Sequence, residues 1–220
     1  MAKKIGVLLS GCGVMDGAEI HESVLTLLAI DNAGAEAVCM APNADQLHVI
    51  NHLTNQPTEE KRNCLVEAAR IARGKIKDIV QVKAADIDAL AMPGGFGAAK
   101  NLCTWAIDGN NCKVHPEVKR LLSELVAAKK PIAAICISPV LVAKVLEDDM
   151  LQPVLTIGND SETASNLQAM GADHLECSVR EFVVDEKNKL VSTPAYMLAR
   201  SIGEAAVGIE KTIKKLIEMA

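Results

Sequence analysis

Four short apolar runs, K-I-G-V-L-L (4–9), E-A-V-C-M-A (36–41), D-A-L-A-M (88–92) and P-I-A-A-I-C (131–136), recur along the chain with amphipathic segments between them. Each run has the length of a strand, and the segments between carry apolar residues at the three-to-four-residue spacing of a helix. Such alternation reads as successive βα units. Runs that are apolar at nearly every position belong to strands covered on both faces. The expected architecture is therefore α/β: a doubly wound, mostly parallel sheet with helices on both faces. Its 220 residues suffice for a single domain over 1–220.

Helices are expected at 22–33, closed by Gly34, and at 59–73, 117–129, 139–146, 163–170 and 198–217. Short strands are expected at 48–52 and near 154–157, and residues 181–193 read as a hairpin turning at 185–189. No internal repeat, low-complexity stretch or Pro/Gly/Ser linker divides the chain.

Half of the residues are hydrophobic, yet Phe96, Trp105, Phe182 and Tyr196 are the only aromatics, so the core is aliphatic. The formal charge of −5 comes with no basic stripe, which argues against a nucleic-acid partner. No apolar run approaches the roughly 18 to 20 residues of a membrane span. The opening K-K-I-G-V-L-L-S-G-C imitates a lipoprotein signal, but its apolar stretch, Ile5 to Leu9, is too short. It reads better as a first strand and a glycine-rich turn of a cytoplasmic protein. The seven cysteines, at 12, 39, 64, 103, 112, 136 and 177, include no pair at metal-knuckle spacing. They are expected to be thiols, with no metal bound, and Cys39, Cys64 and Cys177 to lie in strand or helix cores.

Three segments leave strands at the edge where open α/β sheets bind ligands. P-G-G-F-G-A-A-K-N-L (92–102 region) offers backbone N–H groups at a tight turn, suited to an oxyanion, although its glycines serve a bare turn equally well. A-A-I-C-I-S-P-V (133–140) places Cys136 between a strand and a helix opened by Pro139, which resembles a nucleophile elbow without its usual glycines. Buried packing is the competing use for such a cysteine. In G-A-E-I-H-E, Glu19 and Glu22 share one side of a helix entry, where carboxylates also serve the helix dipole. His21, next to Glu22, would point about 100° away from it on a helix.

Taken together, G-A-E-I-H-E-S-V, A-M-P-G-G-F-G-A-A-K-N-L and A-A-I-C-I-S-P-V resemble the ThiJ/PfpI superfamily, in order along nearly the whole chain, and T-P-A-Y-M-L-A-R-S-I-G-E-A-A fits as well. K-K-I-G-V-L-L-S-G-C-G-V-M-D-G, N-H-L-T and T-I-G-N-D-S-E-T-A are similar to its ElbB branch, known for glyoxalase activity and as isoprenoid-biosynthesis proteins with an amidotransferase-like domain. The resemblance implies a flavodoxin-like fold and a homodimer. It also implies a nucleophilic Cys136, a Glu22 that touches it, and an oxyanion hole made by Gly95 and the N–H of Ile137. Ile137 stands where protease-like members carry histidine, and no late histidine replaces it, so peptidase and glutaminase activities are not expected.

The function so implied is a cofactor-independent glyoxalase, a lyase that needs no glutathione. It would convert a small dicarbonyl, glyoxal or methylglyoxal, to a hydroxy acid through a Cys136 hemithioacetal, with apparent deglycase activity as a by-product. A carboxyl beside a thiol raises both pKa values, so Glu22 and Cys136 are expected to share one proton. Two other readings stand beside it: a redox sensor in which Cys12 resolves an oxidised Cys136, and an inactive amidotransferase-like partner protein. His115, in the polar segment before the 117–129 helix, is either a lid residue or a solvated loop histidine.

Overall fold

The computed structural model describes residues 2–220. In chain order the strands are β1 (Lys4–Leu8), β2 (Glu36–Ala41), β3 (Ile50–Asn51), β4 (Gln56–Pro57), β5 (Ile76–Asp78) and β6 (Ala89–Met92). They continue with β7 (Ile132–Ile135), β8 (Val154–Leu155), β9 (Asp173–His174), β10 (Val183–Asp185) and β11 (Leu190–Thr193). The helices are α1 (Ile20–Asn32), α2 (Cys64–Ile71), α3 (Phe96–Lys100), α4 (Trp105–Asp108), α5 (Pro116–Ala127), α6 (Pro139–Glu147), α7 (Ser161–Ala169) and α8 (Ile202–Met219).

Seven strands form one sheet in the order β10-β11-β7-β6-β1-β2-β5, parallel throughout except for the β10–β11 hairpin. The chain builds outward from β1 through β2 to β5, then returns to lay β6 on the other side of β1. That reversal is the switch point of a doubly wound, flavodoxin-like sheet, and it opens a crevice at the carboxyl ends of β1 and β6. The register sets Val7 against Ala91 and Ala91 against Ala133 at the centre.

Alternate residues of the central strands supply two cores. On one face Leu8, Met40, Leu90, Met92 and Ile132 pack under α5 and α6 with Leu121, Leu122, Val140 and Leu141. On the other, Ala89, Ala91 and Ala133 lie with Ile30 of α1 and with Ile209 and Ile213 of α8. Small residues on this second face let the helix backbones lie close to the sheet, and methylene-rich side chains fill the first. Few aromatics are needed because neither layer leaves a space of aromatic size.

Several boundaries differ from those expected, each for a local reason. The helix expected over 59–73 is confined to α2, because the Asn63 side chain accepts a hydrogen bond from Val66 N at 3.1 Å and so fixes the start. Residues just before it bond elsewhere: Gln46 N to Arg62 O at 2.8 Å and Thr58 N to Val49 O at 2.8 Å. The edge strand β5 went unrecognised because I-K-D is short and half polar, and it is held by pairing Cys39 with Ile76. The strand expected at 48–52 shrinks to Ile50–Asn51, paired with β4. The last helix begins at Ile202, behind a Ser201 cap, and Ala195–Met197 make a separate single turn. Cys39 and Cys64 are buried, as expected, but Cys177 is only half-buried and belongs to no strand or helix. No helix of the described residues is long and apolar enough to cross a membrane.

Candidate functional site

Three loops meet at the switch-point crevice. The glycine-rich turn after β1 is cross-bonded to the P-G-G-F-G loop after β6. Phe96 N donates to Val14 O at 2.8 Å, Gly97 N to Gly17 O at 2.9 Å and Glu19 N to Gly94 O at 3.0 Å. Backbone approach this close excludes side chains: a Cβ on Gly95, whose φ is +91°, would stand 2.4 Å from Glu19 N. A Cβ on Gly94 would stand 2.5 Å from Cys136 Cβ. The N-H-L-T segment braces the same turn, with Met15 N donating to His52 Nε2 at 3.2 Å and Ile50 N to the Asp16 carboxylate at 2.7 Å.

Cys136 follows β7 with φ +62°, a left-handed conformation that costs a non-glycine residue about 1–2 kcal/mol. The surroundings enforce it. Cys136 N donates to Thr193 O at 3.0 Å on β11, and Ser138 Oγ donates to Pro93 O at 2.9 Å, tying the entry of α6 to the β6 loop. The elbow thus forms without its customary glycines. The sulfur is turned toward the crevice, near enough to the N–H groups of Gly95 and Ile137 for them to favour its charged form.

Glu22, in the first turn of α1, is completely buried and its carboxyl lies beside the Cys136 thiol, close enough for each to shift the other's titration. One carboxyl oxygen accepts from Gly94 N at 2.8 Å and the other from Tyr196 N at 3.1 Å. Burial pushes the carboxyl up from 4.5 to about 7, reinforced by the charge of Glu19, while the two backbone N–H groups and the thiol pull it back. Burial also drives the Cys136 thiol well above its ordinary value, and the Glu22 charge adds to the effect. Both shifts oppose a second negative charge, so the pair keeps at least one proton near neutral pH.

A cavity of about 360 Å³ opens over the sulfur, lined by Gly95, Cys136 and Ile137, by apolar Phe96, Trp105 and Met197, and at its rim by Glu19 and Asp160. Among the described residues no group of three or more His, Cys, Asp or Glu side chains could hold a metal ion.

The structure therefore brings Cys136, Glu22, Gly95 and Ile137 together. His21 does not face the sulfur: it is exposed, with Nδ1 2.8 Å from the Tyr196 hydroxyl. His115 is neither a lid nor a free loop residue. It caps α5, accepting from Glu117 N at 3.3 Å, and lies outside the cavity lining. Cys12 is likewise absent from that lining, and its charged neighbours are Glu67, Arg70, Asp16 and Arg62, so no contact supports a resolving role for it. Two contributors escaped the sequence reading, and so did the capping role of Glu19. Gly94 and Tyr196 act through backbone N–H groups, which carry no sequence signature. Glu19 caps α1 by accepting from Glu22 N at 2.6 Å, a task more often given to Ser, Thr, Asp or Asn.

No family model matches the chain. It is 46% identical over 226 residues to the ES1 protein homolog, mitochondrial, of Rattus norvegicus, covering 98% of this chain and 84% of the relative. It is also 46% identical, over 228 residues, to the glutamine amidotransferase-like class 1 domain-containing protein 3, mitochondrial, of Homo sapiens, covering 99% and 84%. The chain belongs to this glutamine amidotransferase-like family. The crystal structure of an isoprenoid biosynthesis protein with amidotransferase-like domain from Ehrlichia chaffeensis matches with a TM-score of 0.92, at 38% identity and over 99% of this chain and 100% of that one. DJ-1beta of Drosophila melanogaster, 17% identical with a TM-score of 0.56 over 99% and 97% of the two chains, shares the fold.

These relatives overturn one expectation. A cytoplasmic location was inferred from the sequence, but the curated relatives from rat, human and Danio rerio are named as mitochondrial. Charge and composition do not distinguish the cytosol from an organelle.

Proposed function

We propose that the chain is a cofactor-independent glyoxalase acting on glyoxal, and on methylglyoxal as a larger substrate. The observation that carries this reading is the buried Glu22 carboxyl beside the Cys136 thiol, with the amides of Gly95 and Ile137 about the same sulfur and the cavity opening onto Cys136. A nucleophile, a base with a pKa of about 7 and a pair of oxyanion donors meet there in one place.

Glu22 takes the thiol proton as the Cys136 sulfur adds to one aldehyde carbon, and the Gly95 and Ile137 N–H groups receive the oxyanion. Glu22 passes that proton to the oxyanion, completing the hemithioacetal, and, again a carboxylate, takes the carbon-bound proton to give an enediolate. Return of the proton to the neighbouring carbon, with the hydroxyl proton passing to the terminal oxygen, leaves a thioester on Cys136 beside a new hydroxymethyl carbon. Water cleaves the thioester, releases glycolate and restores the thiol. The net reaction adds one water to one glyoxal, with no oxidant, reductant or leaving group. Glu22 stands beside the sulfur with its carboxyl raised to about 7, which suits it to move the proton.

Glycolate formation from glyoxal by the purified chain, without added glutathione or metal, tests the proposal. Glycolate in step with glyoxal loss is expected. No glycolate above the non-enzymatic rate, from folded protein with a reactive Cys136, overturns it.

A further inference from the structure

Two buried thiols stand against each other outside the Cys136 site. Cys103 lies beyond α3 and Cys112 ahead of α5, and the residues between them form a closed loop. Its ends are zipped by an antiparallel bridge between Cys103 and Val114, by Thr104 N to Lys113 O at 3.0 Å and by His115 N to Leu102 O at 2.8 Å. In this arrangement Cys103 and Cys112 are diagonal neighbours on one face. Each thiol lies close enough to shift the other's titration, and Cys103 Sγ donates to Ala98 O at 3.4 Å. Cys112 also lines a second cavity, of about 280 Å³, with Lys119 and Lys144, and Lys144 Nζ donates to Asn110 O at 2.8 Å within the loop.

The same loop carries Trp105, part of the wall of the Cys136 cavity. The Trp105 indole N–H and the Asn110 side-chain oxygen are both buried without a hydrogen-bond partner, two of the five such atoms among the described residues. The loop is thus tied down by fewer side-chain hydrogen bonds than most buried polar groups enjoy.

We propose that Cys103 and Cys112 form a redox-active dithiol that peroxide converts to a disulfide, resetting the Trp105 wall of the Cys136 cavity. The Cys112 sulfur attacks a peroxide oxygen, the O–O bond breaks and the departing hydroxide leaves as water. The Cys103 sulfur then attacks the resulting sulfenic acid, the S–O bond breaks, and the second water leaves with the Cys103 proton. Two thiols and one peroxide give one disulfide and two waters. Cys112 is the attacking member: the neighbouring Cys103 thiol, joined by the Lys144 ammonium, holds its thiol below the ordinary range. That same closeness, with burial, pushes Cys103 far up. Bond formation shortens a thiol contact to about 2.0 Å, which draws the loop ends together and shifts Trp105.

Trypsin cutting after Lys100 and Lys113 leaves both cysteines on one peptide, residues 101–113, and Trp105 is the only tryptophan of the chain. The folded protein is treated with hydrogen peroxide, denatured, alkylated and digested, and its tryptophan emission is followed in parallel. We expect the peptide to lose two hydrogens and both alkylation sites, with a shift in Trp105 emission, and dithiothreitol to restore both. In Cys112→Ser, and separately in Cys103→Ser, the emission shift is lost. Cys39 and Cys64, whose burial raises their thiols to about 11 and about 12, remain alkylatable as internal controls. Full alkylation of the peptide at a peroxide level that oxidises Cys136 overturns the proposal, as does a disulfide that leaves Trp105 emission unchanged. The wild-type measurement decides the matter even where a variant fails to fold, and no arm depends on glyoxal turnover.

Discussion

Replacing Glu22 with glutamine should remove a pH dependence from the stability of the fold. In the folded chain the Glu22 carboxyl titrates near 7, against 4.5 for the ordinary group. Between those values the folded protein keeps a proton that the unfolded chain has released. The stability that Glu22 contributes is therefore fully present below about pH 4.5, is lost as pH rises through the window, and is gone above about 7. The gap is worth on the order of 3 kcal/mol at about 1.4 kcal/mol per pH unit. That is a large fraction of a typical domain stability of roughly 5–15 kcal/mol.

Glutamine cannot ionise, so this contribution vanishes from the variant. A second, constant effect comes with it. Both carboxyl oxygens of Glu22 accept from backbone N–H groups, at Gly94 and Tyr196, whereas a glutamine side chain has one oxygen and an NH₂. One N–H is left facing another donor, at a cost of about 1–3 kcal/mol that does not vary with pH. Urea unfolding of both proteins between about pH 5 and pH 8 separates the two effects, because other titrating groups cancel in the difference. The stability gap between wild type and variant should be widest at the acid end and shrink by up to about 3 kcal/mol toward the alkaline end. Parallel stability curves would show that Glu22 titrates like an exposed carboxyl, and the reasoning from its burial would fail.

Cys136→Ser should abolish glyoxal turnover and leave the circular dichroism spectrum unchanged, because a serine hydroxyl stays un-ionised at neutral pH; residual turnover in wild-type-free protein would refute the cysteine mechanism. Gly94→Ala should lower stability by about 1–3 kcal/mol and impair turnover, since the new methyl meets Cys136 Cβ at 2.5 Å and the Glu22 carboxyl at 2.9 Å; a thermal midpoint equal to that of wild type would contradict the packing. Exchange of His21 or His115 for alanine should slow turnover by less than about a hundredfold, with His115→Ala losing about 1 kcal/mol of helix capping, and a larger kinetic loss would place a histidine in the chemistry after all.

How much of this was readable from the sequence depends on how local each feature is. Cys136, Gly95 and Glu22 could be found because each sits within a few residues of a strand end or helix start, and both have short-range signatures. Asn63 was readable in the same way, as an N-cap directly ahead of an apolar helical run, but the charged stretch before it concealed the boundary. The strand β5 was not, since three residues with an outward lysine lack a usable period.

The cavity wall was out of reach for a different reason. Trp105, Asp160 and Met197 come from widely separated parts of the chain and meet only because α4, α7 and the turn after β11 converge on the crevice. The same holds for the environment that gives Glu22 its chemistry. Sequence spacing put Glu19 one helical turn away, but it could not show that Glu19 would spend its carboxyl on the Glu22 N–H while its charge pressed on the Glu22 side chain. Nor could it show that the Tyr196 backbone would close the second oxygen from the far end of the chain. A carboxyl with both oxygens engaged by N–H groups and a thiol as its third neighbour has one place left for a proton, on the line to sulfur. Burial then makes that proton hard to lose. The protonation of the pair is thus set by Glu19, Gly94 and Tyr196, from three separate loops, as well as by the motif residues.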